Sequence, residues 1–365
     1  MSKRGSVFGG EHIEYTDPET DALIVQITDA SVHSRGFYFE YPSFNTANDT
    51  MFFYTERYGG RGSPWDLYCG DPAGGRIVQL SDDDHRLSSA YPAPDDARAV
   101  YGLRGNAIIR LNIDTMAEEE VGRCEEVESL SGLAISGDGS YLFSIGGLST
   151  STVESGKLDT VIVRMRSDGS EIVTFGRNYA RNHLTCNHAG TILHFRHAKE
   201  GPDQLGICDF NGDGYRPIGF QRFAHRYWLG TTDRLQGPLL PPGHGIVIAD
   251  LDQEEPDLVC AGPYFWHSAA SHDARWIVSD TNWPNEGIML VHVESGRFAP
   301  LTRHGGMPGS AQHTHPHPSF DRTGSRVVYT SNRGGLSQVY VATIPEELRD
   351  DLETGRLSNR RRHWR

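Results

Sequence analysis

The sequence predicts an all-β protein, a seven-bladed β-propeller whose ring is closed by an N-terminal strand in the last blade. Its composition favours short strands joined by turns, because 41 Gly and 19 Pro occur among 365 residues and 10% of the residues are aromatic. One pattern of turns and strands recurs seven times along the chain. A segment near the N-terminus echoes a strand of the first copy, so it can complete the last copy.

Each copy of the pattern begins with a turn signal and continues through short apolar strands. The turns stand at Asn48-Asp49, Asp96-Ala97, Asp138-Gly139, Ala189-Gly190, Thr232-Asp233, Asp273-Ala274 and Thr323-Gly324. Their spacing of about 40 to 50 residues is typical of propeller blades. Alternation and β-branched residues support nearly every predicted strand, and the weakest is residues 234–240 in the fifth copy.

The seventh copy lacks its third strand, because the chain is predicted to turn helical after Ile344-Pro345. Residues 24–29 (IVQITD) closely echo residues 77–82 (IVQLSD), the third strand of the first copy. A strand at about residues 22–29 would complete the last blade and remove an open sheet edge. We therefore expect one propeller domain over residues 1–345, followed by a short helix and a basic tail over residues 346–365.

Charge and hydropathy exclude several classes of protein. The formal net charge of −14 argues against a general nucleic-acid binder, which needs a basic surface. No apolar run approaches the ~18 residues of a membrane span, and the N-terminus lacks an apolar signal segment. The five cysteines form no Cys-x-x-Cys pair, so a thiolate zinc site is not indicated. We expect a cytoplasmic protein with no membrane or nucleic-acid partner.

One position of the repeat is enriched in histidine. The first strand of each propeller blade lines the central channel, so residues at a fixed offset before the turn should face a common axis. Histidine stands seven residues before the second turn residue in three copies, as His183, His267 and His317, and eight residues before it in the fifth copy, as His225. This recurrence points to a polar site on the axis, and a packing role is the alternative.

The densest histidine cluster is Gln312-His313-Thr314-His315-Pro316-His317-Pro318. Alternate residues of an extended strand point the same way, so we expect His313, His315 and His317 to share one face. With His267 from the adjacent blade, His315, His317 and Gln312 can close a metal site. Imidazoles with an amide oxygen suit Mn²⁺, Fe²⁺, Ni²⁺ or Zn²⁺ better than Ca²⁺ or Mg²⁺.

Motifs in several repeats carry a family resemblance. They are residues 312–320 above all, His267 with residues 271–273, and residues 33–38, 200–202 and 224–228. On these motifs the sequence resembles the oligogalacturonate lyases, metal-dependent seven-bladed propellers of pectin degradation. The resemblance implies a Mn²⁺ cofactor held by His267, Gln312, His315 and His317. It also implies that His225 is the general base and that the substrate is an anionic oligosaccharide.

Lyase cleavage of a uronate glycan removes the proton α to the C6 carboxylate and expels the O4 glycosidic oxygen. A metal on the carboxylate stabilises the developing negative charge, and a neutral histidine can take the proton. Further side chains are predicted to contact the substrate, although core packing is as plausible for the aromatic ones. These side chains are Arg35, His183, His197, Arg226, Tyr227 and Trp228.

One position departs from the family pattern, which keeps other functions open. The arginine that the family places after Glu-Gly-Pro is absent from residues 204–206. The alternatives are a lyase for a glucuronate-containing glycan and a non-enzymatic, TolB-like propeller that binds proteins. A propeller-gated serine peptidase is excluded, since the sequence has no Gly-x-Ser-x-Gly motif.

Overall fold

The computed structural model describes residues 3–9, 11–149, 159–197, 205–220, 222–282, 287–306, 309 and 311–356. Three strands precede the first repeat: β1 (Val7–Gly9), β2 (Ile13–Thr16) and β3 (Leu23–Gln26). The first repeat contains β4 (Ser34–Arg35), β5 (Met51–Thr55), β6 (Asp66–Gly70) and β7 (Arg76–Gln79). The second contains β8 (Ser88–Pro92), β9 (Ala99–Arg104), β10 (Ala107–Asn112) and β11 (Glu118–Arg123).

The third repeat contains β12 (Ser129–Ile135), β13 (Tyr141–Gly147), β14 (Thr160–Arg166) and β15 (Ile172–Phe175). The fourth contains β16 (Ala180–Cys186), β17 (Ile192–His197), β18 (Leu205–Asp209) and β19 (Arg216–Ile218). The fifth contains β20 (Tyr227–Trp228), β21 (Leu235–Leu239), β22 (Gly245–Ala249) and β23 (Asp257–Ala261).

The sixth repeat contains β24 (Phe265–Ala270), β25 (Trp276–Thr281), β26 (Ile288–His292) and β27 (Phe298–Thr302). A 3-10 turn (Gln312–Thr314) precedes the seventh repeat. That repeat contains β28 (Ser319–Phe320), β29 (Arg326–Ser331) and β30 (Gln338–Thr343), and the helix α1 (Glu346–Thr354) follows it.

Each repeat forms one antiparallel sheet, and the seven sheets are the blades of a β-propeller. The predicted fold class is therefore confirmed. The weak segment at residues 234–240 does form a strand, β21. The N-terminal β3 pairs with β30 in the last blade, with Ile24 opposite Ala342, so closure by an N-terminal strand is confirmed. Two further strands were not predicted: β2 adds a fifth strand to this blade, and β1 adds a fifth strand to the first blade.

The described residues divide into two compact units. The first unit comprises Met1–Asp82, Arg222–Gly230 and Arg234–Arg365, and the second comprises Asp83–Gln221 and Thr231–Asp233. The expected single domain over residues 1–345 stays a prediction. The helix expected after residue 345 forms, whereas residues 357–365 of the basic tail lie outside the described residues.

Each unit has its own apolar core. In the first unit, the core includes Trp276, Tyr329 and Tyr340, and α1 buries Leu348 and Leu352 against it. In the second unit, the core forms between blades and includes buried phenylalanines and leucines, namely Phe143, Leu184, Leu193 and Phe195. No helix among the described residues has both the length and the apolar character that a bilayer crossing requires.

The repeat position that carries histidine has unusual backbone geometry. The pairing register shifts at a β-bulge around His183 in β16 and around His267 in β24. The backbone is left-handed at His183, His225 and His317, with φ values of 55°, 44° and 44°. Bulges re-aim side chains, and left-handed backbone at residues other than glycine is uncommon. These histidines therefore leave the regular in-and-out alternation of a strand.

Candidate metal centre

His267 is held in one orientation by a buried carboxylate. It lies in the first strand of the sixth blade and is 1% exposed, and Asp280 in the next strand is 2% exposed. Asp280 Oδ1 accepts a hydrogen bond from His267 N at 2.6 Å, and Oδ2 lies 2.9 Å from the ring Nδ1. Because Nδ1–H donates to the carboxylate, the lone pair of a neutral His267 ring lies on Nε2.

His315 and His317 each have a buried ring nitrogen that can bind a metal. His315 Nε2 donates to the main-chain carbonyl of Gly309 at 2.7 Å, so the lone pair of the neutral ring lies on Nδ1. His315 Nδ1 and His317 Nε2 are both buried without a hydrogen-bond partner among the described residues. Burial, with a smaller effect from neighbouring His267, holds the pKa of His317 well below its ordinary value. His317 is therefore neutral at physiological pH, the form that binds metals.

These three histidines converge on one point. One ring nitrogen from each of His267, His315 and His317 lies within 4.8 Å of the others. Metal-to-imidazole bonds are about 2.0–2.1 Å long for Zn²⁺, so a single ion requires only small side-chain adjustments. Buried nitrogens without partners, aimed at a common point, fit a divalent ion. We call His267, His315 and His317 the histidine triad.

His313 does not share the face expected from strand alternation, so that expectation is wrong. The 3-10 turn Gln312–Thr314 replaces the extended backbone before His315. The ring of His313 instead lies 4.5 Å from that of His33 and 5.6 Å from that of Trp65, between centroids. Gln312 is exposed at the start of this turn, and its role as a fourth ligand stays a prediction.

His225 lies against the triad without belonging to it. Its ring centroid is 4.5 Å from that of His267 and 4.7 Å from that of Trp266. The group of three nitrogens that can share an ion does not include His225. This position is compatible with a base that acts next to a metal, and the assignment as base stays a prediction.

The remaining predicted contact residues differ in exposure. Trp228 is 2% exposed and therefore packs in the core, and Arg226 is 8% exposed with its guanidinium 5.4 Å from the Phe223 ring. The predicted roles of these two side chains in substrate binding stay predictions. Tyr227 is half-buried and packs against the core of the first unit. Arg35, also half-buried, ends β4 in that unit.

His183 and His197 belong to the second unit. His183 is half-buried at the bulge of β16, and His197 ends β17 with its ring 5.7 Å from that of Tyr215. The Glu-Gly-Pro motif at residues 200–202 lies outside the described residues. The roles of His183 and His197 in substrate binding stay predictions.

Sequence reasoning missed two neighbours of the triad. The Tyr38 ring lies 4.6 Å from that of His317, and the Phe39 ring lies 5.6 Å from that of His267. Burial raises the pKa of Tyr38 far above its ordinary value, so this phenol stays protonated and can only donate or accept a hydrogen bond. Asp280 was not predicted either, although a lone acidic residue in the apolar strand WIVSDT was a usable signal.

Comparison with solved structures relates this fold to known enzymes. An oligogalacturonate lyase in complex with manganese superimposes with a TM-score of 0.81 and 20% identity, covering 95% of this chain and 100% of that one. An oligogalacturonate lyase from Vibrio parahaemolyticus gives 0.78 and 17%, covering 94% and 100%. The chain shares its fold with oligogalacturonate lyases. The resemblance inferred from sequence motifs is thus confirmed at the level of the fold.

Other comparisons are weaker. A puromycin-hydrolyzing peptidase from Mycobacterium tuberculosis gives a TM-score of 0.55 at 13% identity, and the match covers 90% of this chain but only 58% of that one. No protein-family model and no curated protein sequence matches this chain. At these identities, the structural likeness establishes the architecture, and the chemistry has to be argued from the residues of the site.

Proposed function

We propose that the protein is a metal-dependent lyase that cleaves a uronate-containing oligosaccharide by β-elimination. The observation that carries the proposal is the histidine triad with His225 beside it. A propeller that only binds other proteins has no need of three converging imidazoles. The reaction class is supported by the shared fold with two oligogalacturonate lyases, one of them described as a manganese complex.

The donor set suits a divalent transition ion, and Mn²⁺ is the ion that we propose. His267 would bind through Nε2, His315 through Nδ1 and His317 through Nε2, with Gln312 as the proposed fourth ligand. The bound ion would supply a Lewis acid that withdraws charge from a substrate carboxylate. Asp280 keeps His267 in the tautomer that can bind, which is the usual role of a carboxylate behind a metal-ligating histidine.

His225 is the proposed base. In a uronate whose C6 carboxylate lies at the triad, the C5 hydrogen is α to that carboxylate, and neutral His225 takes it as a proton. The C5–H electron pair becomes the C4–C5 double bond. The C4–O4 bond breaks with its electron pair on the departing oxygen, which then gains a proton. Water is not consumed, so the product is unsaturated.

The substrate's sugar stays open between two kinds of glycan. We favour an oligogalacturonate, and hence a role in pectin degradation, because of the family resemblance. A glucuronate-containing glycan is the alternative, since Leu205 and Gly206 in β18 stand where the family has its arginine, and Gln204 lies outside the described residues. The anionic oligosaccharide partner and the cytoplasmic location belong to this proposal.

Metal analysis and a product assay test the proposal. The purified protein should contain a divalent ion, and uronate oligosaccharides should yield a product that absorbs in the ultraviolet. His315→Ala and His317→Ala should each lose the ion, whereas His313→Ala, from the same histidine-rich segment, should keep it. Saturated products from an active enzyme would discard elimination. Full metal content in both ligand variants would discard the triad.

A further inference from the structure

An arginine in the first blade has no carboxylate partner within the part of the chain that the structure describes. The Arg35 guanidinium stacks on two rings, 4.9 Å from the centroid of Trp65 and 5.7 Å from that of Tyr54. Its Nε is buried without a hydrogen-bond partner among the described residues, and burial lowers the pKa of Arg35. Among the described residues no carboxylate pairs with this guanidinium, so its planar fork of N–H groups can take an anionic ligand.

Two histidines lie next to Arg35 in this surface, and the buried carboxylate of Glu56 lies behind them, with Oε2 3.4 Å from His33 N. The His313 ring lies 5.6 Å from that of Trp65 and 4.5 Å from that of His33. His33 Nδ1 accepts a hydrogen bond from the Ser337 main chain at 3.1 Å, so the neutral ring carries its proton on Nε2 and can donate it. His33 and Arg35 are two residues apart, the spacing that directs side chains of an extended segment to one side.

Hydrogen bonds tie this surface to the segment that carries the triad. Thr330 N donates to the main-chain carbonyl of Pro316, between His315 and His317, at 2.9 Å. Thr330 Oγ1 also accepts a hydrogen bond from Gly36 N at 3.0 Å, so the end of β4 is held to β29 at the same residue. Arg35 and the triad segment therefore belong to neighbouring, hydrogen-bonded parts of the same unit.

We propose that Arg35, Trp65, His33 and His313 form a second carboxylate subsite, which binds the uronate adjacent to the one at the triad. The inference rests on the proposed function, in which the triad takes the first carboxylate. Arg35 would bind the second carboxylate through its planar fork of N–H groups, with His33 Nε2–H as a further donor. The site then selects contiguous uronates over glycans in which uronates alternate with neutral sugars.

Calorimetry on the metal-free protein tests the subsite without turnover. The probes are trigalacturonate and its methyl ester, which has no charge. Arg35→Gln should weaken trigalacturonate binding about tenfold or more and leave the ester unchanged, because only the carboxylate pairs with the guanidinium. Arg35→Lys should restore only part of the affinity, since an ammonium group lacks the fork. Arg61→Gln, an exposed arginine in the loop that carries Trp65, should change affinity less than twofold.

The outcomes separate the subsite from the reaction. Unchanged trigalacturonate affinity in Arg35→Gln would overturn the subsite, even if the Mn²⁺-loaded wild type forms unsaturated product. Affinity that depends on Arg35 without any unsaturated product would support the subsite and discard the lyase. No binding to the wild type would overturn the subsite as well. A second variant is needed if Arg35→Gln lowers Tm. His313→Phe keeps an aromatic ring but removes the ring nitrogens, and it should still weaken trigalacturonate binding severalfold. Unchanged trigalacturonate affinity in His313→Phe would overturn the subsite.

Discussion

The carboxylate of Asp280 accepts hydrogen bonds from both the main-chain nitrogen and the ring Nδ1 of His267, at 2.6 and 2.9 Å. The two bonds fix the strand bulge and the tautomer of the ring together. Burial raises the pKa of Asp280, although nearby histidines, His317 foremost, oppose that shift. The pair is therefore a preorganised support for the triad.

Asp280→Asn should weaken metal binding by about 10- to 100-fold, the usual effect of losing a carboxylate behind a ligating histidine. The amide can donate to Nδ1, which would move the ring proton to Nε2 and block the binding lone pair. Titration of the metal-free protein with Mn²⁺ measures the change. Asp273→Asn, in the exposed turn of the same blade, should bind Mn²⁺ as the wild type does. Equal affinities in both variants would remove Asp280 from the metal centre.

His225→Ala should retain the metal and the fold while losing about 10²- to 10⁴-fold in kcat, because general bases contribute that much. Single-turnover kinetics with a uronate oligosaccharide measure the loss, and metal analysis checks the triad. His244→Ala, from the same blade, should keep normal turnover. Near wild-type turnover in His225→Ala would move the base to another group.

Ile24→Ala should destabilise the protein by about 2–5 kcal/mol, because it leaves a cavity where the N-terminal strand completes the last blade. Ile24 is fully buried and belongs to the core that contains α1. Val7→Ala is the control, since Val7 on the added strand β1 is 57% exposed, and its effect should stay within about 0.5 kcal/mol. Denaturant unfolding measures both. Similar losses of stability in the two variants would mean that the pairing of β3 in the last blade contributes little to stability.

The pH dependence of stability should include a contribution from His292. Burial lowers the pKa of His292 below the value of about 6.5 that it has in the unfolded chain. Between pH ~6.5 and the lower pKa of the folded state, the unfolded chain binds a proton that the folded protein does not, so stability falls as the pH falls through this window. His292→Phe should flatten this part of a Tm-against-pH curve. An unchanged slope would assign the acid sensitivity elsewhere.

Much of the fold could be predicted because its signals are local. Turn residues and strand alternation act within a few positions, and their regular spacing marks the blades. The echo between residues 24–29 and 77–82 predicted the closing strand for the same reason. The recurrence of histidine at one repeat position indicated His267 and His317, which the structure brings together.

The chain by itself therefore determined the seven blades, their closure and the histidines that meet in the site. Only the tertiary structure decided which side chains face that site. The 3-10 turn at Gln312–Thr314 directs His313 to Trp65, and burial removes Trp228 into the core. Asp280 became part of the centre only through the pairing of β24 with β25. The physical reason is that side-chain direction depends on backbone dihedrals at bulges and turns, and burial depends on contacts between segments that are distant in sequence.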